Sequence, residues 1–189
     1  MSEPLNLLSL LLTLQPLRKA APKRLLPLWW GRAAHALLLN SVRQYDPKLA
    51  ENLHEENAIH PFTVSTLMGP FPEGDFDLGY PYTLRLTAYT DELAAVLRMA
   101  MRDGPLAIGA VVELDDHPFR VMQVLPALDS PPNHAQASAT NALPDEISPW
   151  VSATTFQELS APFLLAKRPV PRRITLQFTS PTTFKSNEK

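Results

Sequence analysis

Five histidines are the side chains best suited to move protons near neutral pH, at positions 35, 54, 60, 117 and 134. His54 and His60 flank the end of a predicted helix, where free carbonyl groups favour a protonated imidazole. A histidine held there can supply the proton that a leaving oxygen needs. The alternative interpretation is a surface histidine that simply closes the helix. His117 falls in a predicted turn and His134 in a proline-rich stretch, so we expect neither to act in catalysis.

Other kinds of chemistry have weaker support in this sequence. The chain has no cysteine, which excludes disulfides, thiolate zinc sites and cysteine nucleophiles. Glu73, Asp75 and Asp77 lack the later glutamate of a calcium loop, and no second acidic cluster completes a two-metal nuclease site. No glycine-rich phosphate loop or Ser/His/Asp arrangement is recognisable. We therefore expect neither a metal nor a cofactor.

Basic residues are concentrated in two stretches, although the net charge of the chain is only −2. The first stretch covers residues 18–48 and contains a single acid, Asp46; the second covers residues 167–173. These stretches are either a solubilising surface or a path for the phosphates of a nucleic acid. On the second interpretation, the candidate RNA-binding residues are Arg32, Arg43, Lys48, Arg172 and Arg173.

The elements that must position the histidines begin with a strand over residues 5–14, whose leucines alternate. A helix is predicted to start at Pro27 or Leu28. Its buried stripe consists of Ala34, Leu37, Leu38, Ser41 and Val42, and a neighbouring stripe carries Arg32, His35, Leu39 and Arg43. Asp46-Pro47 predicts the N-cap and first residue of a second helix, with His54 near its end.

The remaining pattern predicts strands over residues 62–68 and 80–89, and then a helix from Thr90 or Asp91 to Gly104. A hairpin follows over residues 107–125, and residues 150–160 are expected to be helical. This order of elements is typical of an α+β, ferredoxin-like (RRM-like) fold, an antiparallel sheet backed by two helices. We assign residues 1–125 to this domain, 126–149 to a Pro/Ser/Ala-rich flexible excursion, and 150–189 to a connecting helix followed by a last strand over residues 174–178.

Two blocks of sequence resemble the CRISPR-associated endoribonucleases of the RAMP superfamily that process precursor guide RNA. The first block comprises GRAAHALL at 31–38, DPKLA at 46–50, LHE at 53–55 and FTVS at 62–65. The second comprises ITLQF at 174–178 and SPTTFKS at 180–186, and it is similar to the strand that opens the second domain of the family. The resemblance implies that this chain covers mainly the N-terminal domain, and that residues 150–189 contain the connecting helix and the start of a truncated second ferredoxin-like domain.

The resemblance also implies metal-independent cleavage of CRISPR repeat RNA, in which a 2′-hydroxyl attacks the adjacent phosphate. In the family, a histidine in the Leu-His-Glu motif, a tyrosine on the first helix and a later lysine share the catalytic work. His54 falls on the histidine position, whereas Leu39 and His60 fall on the other two. We therefore take His35 or His54 as the base and the other as the acid, with Arg32 or His60 stabilising the phosphate.

Two further interpretations stay open beside the endoribonuclease. The absence of the tyrosine favours a non-catalytic RAMP-type RNA-binding subunit of a CRISPR complex, and an unrelated ferredoxin-like interaction domain is the third. The six glycines are scattered, so we expect the chain to lack the family's glycine-rich RNA-binding loop, either as a fragment or as a short relative. Expected partners are repeat RNA or precursor guide RNA and CRISPR effector subunits, with a homodimer left open. We expect a cytoplasmic protein without a membrane segment.

Overall fold

The computed structural model describes residues 6–20, 26–55, 60–125 and 152–165, together with Pro169 and Arg173. Within these ranges, helices and strands follow one another along the chain as β1 Asn6–Pro16, α1 Gly31–Arg43, α2 Pro47–His54, β2 Phe62–Val64, β3 Tyr82–Ala88, α3 Asp91–Asp103, β4 Val111–Leu114, β5 His117–Leu125, β6 Ser152–Thr155 and α4 Phe156–Leu164. A short 3₁₀ turn at Pro72–Gly74 interrupts the loop between β2 and β3.

The strands form one antiparallel sheet in the order β2-β3-β1-β5-β4, with β6 also paired to β1. Helix α3 packs against β1 and β3, and α1 packs against α2, α3 and β2. The order β2-β3-β1-β5 is that of a ferredoxin-like sheet, and β4 extends it through a hairpin. The predicted fold class is therefore confirmed.

Strand β1 lies at the centre of the sheet because leucine side chains cover its helix-facing side. Leu8, Leu10, Leu12 and Leu14 are buried, and they pair with positions on β3 that are also buried. Alternating apolar residues on a strand point to one face, so the leucine pattern sets the register of the sheet. The sequence predicted this face correctly.

Helix α1 begins at Gly31, later in the chain than predicted from Pro27 or Leu28. Trp30 precedes it, with its backbone N–H donating to Thr66 Oγ1 at 3.1 Å and its carbonyl accepting from Ala34 N–H. The start of the helix is thus fixed by a residue that follows β2, a contact that local sequence patterns do not reveal. The predicted buried stripe of α1 is confirmed, but Leu39, expected on the basic stripe, is also buried.

An aromatic cluster surrounds the Trp30 indole at the end of the sheet nearest the start of α1. The side chains that contact one another there are Trp30, Phe71, Phe76, Tyr82, His117 and Phe119. The Tyr82 hydroxyl donates to Pro70 O and accepts the Asp77 N–H, which ties the loop between β2 and β3 to this cluster.

The β4–β5 hairpin has a two-residue turn, Asp115-Asp116, in which both residues have positive φ, 47° and 64°. This geometry is that of a type I′ turn, which matches the twist of the two strands. His117 is therefore the first residue of β5, not part of the turn as predicted, and it is buried. A hydrogen bond of 2.8 Å joins its Nδ1 to Asp115 O, so His117 belongs to the core.

Strands β5 and β6 follow the same edge of β1 in the same direction. Leu125 pairs with Leu11, and Ser152 pairs with Ser9, although residues 126–151 separate them in the chain. Residues 152–155 form a strand where a helix was expected over 150–160; helix α4 begins only at Phe156, after a capping box at Thr155. The excursion itself and the predicted strand 174–178 lie outside the described residues. The division into domains at 125 and 150 stays a prediction.

Candidate functional site

Helix α1 places His35 at the edge of its buried stripe, facing strand β2. The stripe packs Ala34, Leu38 and Val42 completely into the core, which fixes the rotation of the helix about its axis. His35 is consequently half-buried, with its ring 5.3 Å from the ring of Phe62. Leu39, one turn further along the helix, is buried and carries no group that can exchange a proton.

Helix α2 is short and ends at His54. Its first turn is stabilised by a capping residue. Asp46 accepts the Leu49 N–H at 2.8 Å as N-cap, and Pro47 occupies the first helical position, as predicted. Leu49 and Leu53 anchor the helix in the core, which leaves His54 exposed in the last turn. The imidazole therefore lies where the helix dipole is negative.

His60 lies two residues before the start of β2. Its ring is 6.4 Å from that of His35 and 5.5 Å from that of Phe62, measured between centroids. Phe62 is two residues after His60 in extended chain, so the two side chains point to the same side. Phe62 contacts both imidazoles, a role that was not predicted from the sequence. The i, i+2 spacing from His60 was the available signal.

The pKa of the His35 imidazole is lowered from its usual range, first by burial and then by the nearby positive charges of His60 and His54. All three histidines are therefore close enough to interact electrostatically. A half-buried imidazole that stays neutral can accept a proton, and its two neighbours are open to water and to a ligand.

The candidate basic residues are more dispersed than the histidines. Arg32 forms an ion pair of 3.3 Å with Asp115 in the β4–β5 turn, which directs its guanidinium to that turn. Arg43 is exposed and bonds Asn40 at 3.4 Å, and Lys48 is exposed in the first turn of α2. Arg173 is exposed, whereas Arg172 lies outside the described residues. Their role in RNA binding stays a prediction.

In the acidic loop before β3, the aspartate carboxylates accept hydrogen bonds from backbone N–H groups. Asp75 accepts the N–H groups of Ala20 and Phe76, and these bonds, the one from Ala20 foremost, lower the pKa of its carboxyl. Asp77 accepts the Gly79 N–H at 2.8 Å. Within the part of the chain that the structure describes, no three metal-ligating side chains come together, and no helix is long and apolar enough to cross a membrane.

Comparison with known proteins gives one family match and several partial structural likenesses. Residues 7–73 match the family model of the CRISPR Cas6 N-terminal domain. A Thermus thermophilus Cas6 is 22% identical, with a TM-score of 0.43 over 85% of this chain and 45% of that one. A Cas6-related protein from Pyrococcus furiosus is 15% identical, with a TM-score of 0.46 over 62% of this chain and 46% of that one. No curated protein matches the chain.

A Cas6 product complex is 30% identical, with a TM-score of 0.40 over 62% of this chain and 40% of that one. The chain thus spans less than half the length of these solved structures, which are partial likenesses only. The family match includes β1, α1, α2 and β2, and with them His35, His54 and His60. It confirms the resemblance seen in the sequence over residues 7–73: this segment is similar to the CRISPR Cas6 N-terminal domain.

Proposed function

We propose that this chain is the catalytic part of an endoribonuclease that cleaves CRISPR repeat RNA, without a metal ion, to make guide RNA. The observation that carries the proposal is the convergence of His35, His54 and His60 from three separate elements of the Cas6-type segment. Groups that transfer protons are useful to a ribonuclease only when one can take a proton while another gives one.

The proposed reaction is an intramolecular displacement at phosphorus. The 2′-hydroxyl loses its proton to a base, and its oxygen forms a bond to the adjacent phosphorus. The bond from phosphorus to the 5′-oxygen of the next nucleotide breaks, and that oxygen takes a proton from an acid. The products are a 2′,3′-cyclic phosphate and a 5′-hydroxyl, and the charge that develops on the phosphate needs a positive neighbour.

The three histidines differ in ways that support a division of labour. His35 serves as the base because its lowered pKa keeps the imidazole neutral near pH 7. His54 serves as the acid from the negative end of α2. His60 faces His35 and stabilises the phosphate, a role for which Arg32 is less suited because Asp115 already pairs with it.

The first test uses labelled cognate repeat RNA with the purified chain in EDTA. We expect cleavage in EDTA, a cyclic phosphate on the upstream product, and no cleavage when a 2′-deoxy nucleotide replaces the residue 5′ to the cut. Cleavage that requires an added divalent ion, or that survives the deoxy substitution, contradicts the mechanism.

The second test concerns the residues. His35→Ala and His54→Ala should each slow single-turnover cleavage by about 100-fold or more, since general acid–base catalysis contributes roughly 10²–10⁴-fold. Asn52→Ala is the matched control, because Asn52 is exposed on the same helix as His54. If the histidine variants cleave RNA as fast as the control, these side chains take no part in the reaction.

One observation favours a second candidate, a non-catalytic RAMP-type subunit that binds repeat RNA within a CRISPR complex. Leu39 is buried at the position where relatives have a tyrosine, so one expected catalytic group is absent from α1. Tight binding of repeat RNA without any cleavage by the wild-type chain would select this function. Assembly with effector subunits or as a homodimer belongs to the same proposal and is measured by light scattering with and without RNA.

A further inference from the structure

The adjacent tryptophans at the start of α1 have opposite environments. Trp30 is buried in the aromatic cluster, with 2% of its surface exposed, whereas Trp29 is 48% exposed. Trp30 is therefore part of the core. The Trp29 indole is a large apolar surface open to solvent, and the fold and the proposed cleavage chemistry leave it without a role.

Gly31 shows where the Trp29 indole lies. A Cβ atom added to Gly31 would collide with three atoms of that indole, so the ring occupies the space beside Gly31. Gly31 and His35 are four residues apart on α1 and share one face of the helix. The indole therefore lies on the His35 face, about one helical turn, or roughly 5.4 Å, toward the start of the helix.

The segment that contains β2 runs along the same side of α1. Phe62 contacts His35, and Thr66 accepts the Trp30 N–H at 3.1 Å. The chain between these two residues thus follows α1 from the histidines back to the start of the helix. Among the strands that the structure describes, β2 is the last on its side of the sheet, so His35, His60 and Phe62 lie at this border, and the chain from there leads to the start of α1.

We propose that the Trp29 indole is a stacking platform for one base of single-stranded RNA, next to the nucleotide held at the histidines. This proposal rests on the proposed ribonuclease function, whose substrate it positions. Stacking on an aromatic ring accepts any base, since every base has a π-face. One helical turn is on the order of the distance between neighbouring nucleotides, so a base held on Trp29 fixes where the adjacent phosphate lies.

The test measures binding by the whole chain of a short 2′-O-methyl oligoadenylate, which has no free 2′-hydroxyl and cannot be cleaved by the proposed mechanism. We expect Trp29→Ala to weaken binding by about 5- to 150-fold, the value of one stacked base, and Trp29→Phe to keep most of the affinity. Phe156→Ala is the control, because Phe156 is 57% exposed and follows β6, on the opposite side of β1 from β2. Equal affinity of wild type and Trp29→Ala overturns the proposal.

A base-removal experiment identifies the stacked nucleotide. Oligonucleotides with one abasic position are tested in turn against wild type and Trp29→Ala. We expect one position at which the missing base weakens binding to wild type but leaves binding to Trp29→Ala unchanged. Equal losses in both proteins at every position would show that the indole holds no base.

The two proposals fail separately. If cleavage depends on His35 and His54 while Trp29→Ala binds RNA normally, the stacking platform is refuted and the ribonuclease stands. If Trp29→Ala loses binding and the base-specific effect appears, but the chain never cleaves RNA, the platform stands and the catalytic proposal is refuted.

Discussion

The N-cap of α2 offers a sharp test of how the fold positions His54. In Asp46→Ala, the Leu49 N–H loses the carboxylate that it bonds at 2.8 Å. Pro47 has no N–H, and the Ala50 N–H already donates to the Asp46 carbonyl, which the substitution keeps. Leu49 is buried, so water replaces the lost acceptor poorly. The effect is thus confined to one hydrogen bond at the start of an eight-residue helix.

Two estimates bound the size of the effect. Replacing an N-cap aspartate by alanine costs about 0.5–2 kcal/mol, and leaving a buried donor unsatisfied costs about 1–3 kcal/mol. We therefore expect the free energy of unfolding to fall by about 1–2 kcal/mol. For a chain of this size, that corresponds to a decrease in Tm of about 2–8 °C. A two-turn helix is unstable without such support, so cleavage should also slow as His54 loses its fixed place.

The assay compares thermal unfolding, followed by circular dichroism, of wild type, Asp46→Ala and two matched variants. Asp46→Asn keeps a side-chain acceptor and should remain close to wild type. Glu51→Ala removes an exposed carboxylate from the same helix and should change Tm little. The reasoning is refuted if Asp46→Ala unfolds at the wild-type temperature, or if Glu51→Ala lowers Tm as much.

Three further predictions concern the site and its surroundings. The pKa of His35 in the folded chain is below its usual 6.5, so the unfolded chain binds the proton more readily. The free energy of unfolding should therefore fall as pH drops below 6.5. The fall should be smaller in His35→Asn, and urea titrations at several pH values measure it. Tyr82→Phe leaves the Asp77 N–H and the Pro70 carbonyl without their partner and should cost about 1–3 kcal/mol in urea denaturation; an unchanged midpoint would count against those bonds. Asp116→Gly relieves a positive φ of 64° and should raise the free energy of unfolding by up to about 1 kcal/mol, whereas a loss would show that the aspartate side chain supports the turn.

The parts of the fold that follow from short-range periodicity were predictable. The alternating leucines of β1, the apolar stripe of α1, the extent of α3 and the Asp46-Pro47 helix start all appear as expected. The start of α1 was wrong because Thr66, far along the chain, accepts the Trp30 N–H. His117 was misplaced because a type I′ turn usually contains glycine, and here two aspartates adopt the positive φ values.

The candidate site was partly predictable, and the prediction did not depend on periodicity alone. The sequence singled out His35, His54 and His60 from helix position and family resemblance, and the structure places these residues close enough to interact. Their catalytic roles stay predictions. The pairing of Arg32 with Asp115 and the contact of Phe62 with His35 depend on how distant elements pack, which no local pattern encodes.

The collinear arrangement of β5 and β6 has a practical consequence. Their partners on β1, Leu11 and Ser9, are separated only by Leu10, so the sheet holds Leu125 and Ser152 close together on one edge of β1. A connection between two residues that a sheet already holds together can change length at little cost, since doubling the length of a flexible loop costs only about 0.6 kcal/mol. This position is therefore where a reporter domain or a shortened linker can be grafted while the register of β1 and the border that carries the histidines are preserved.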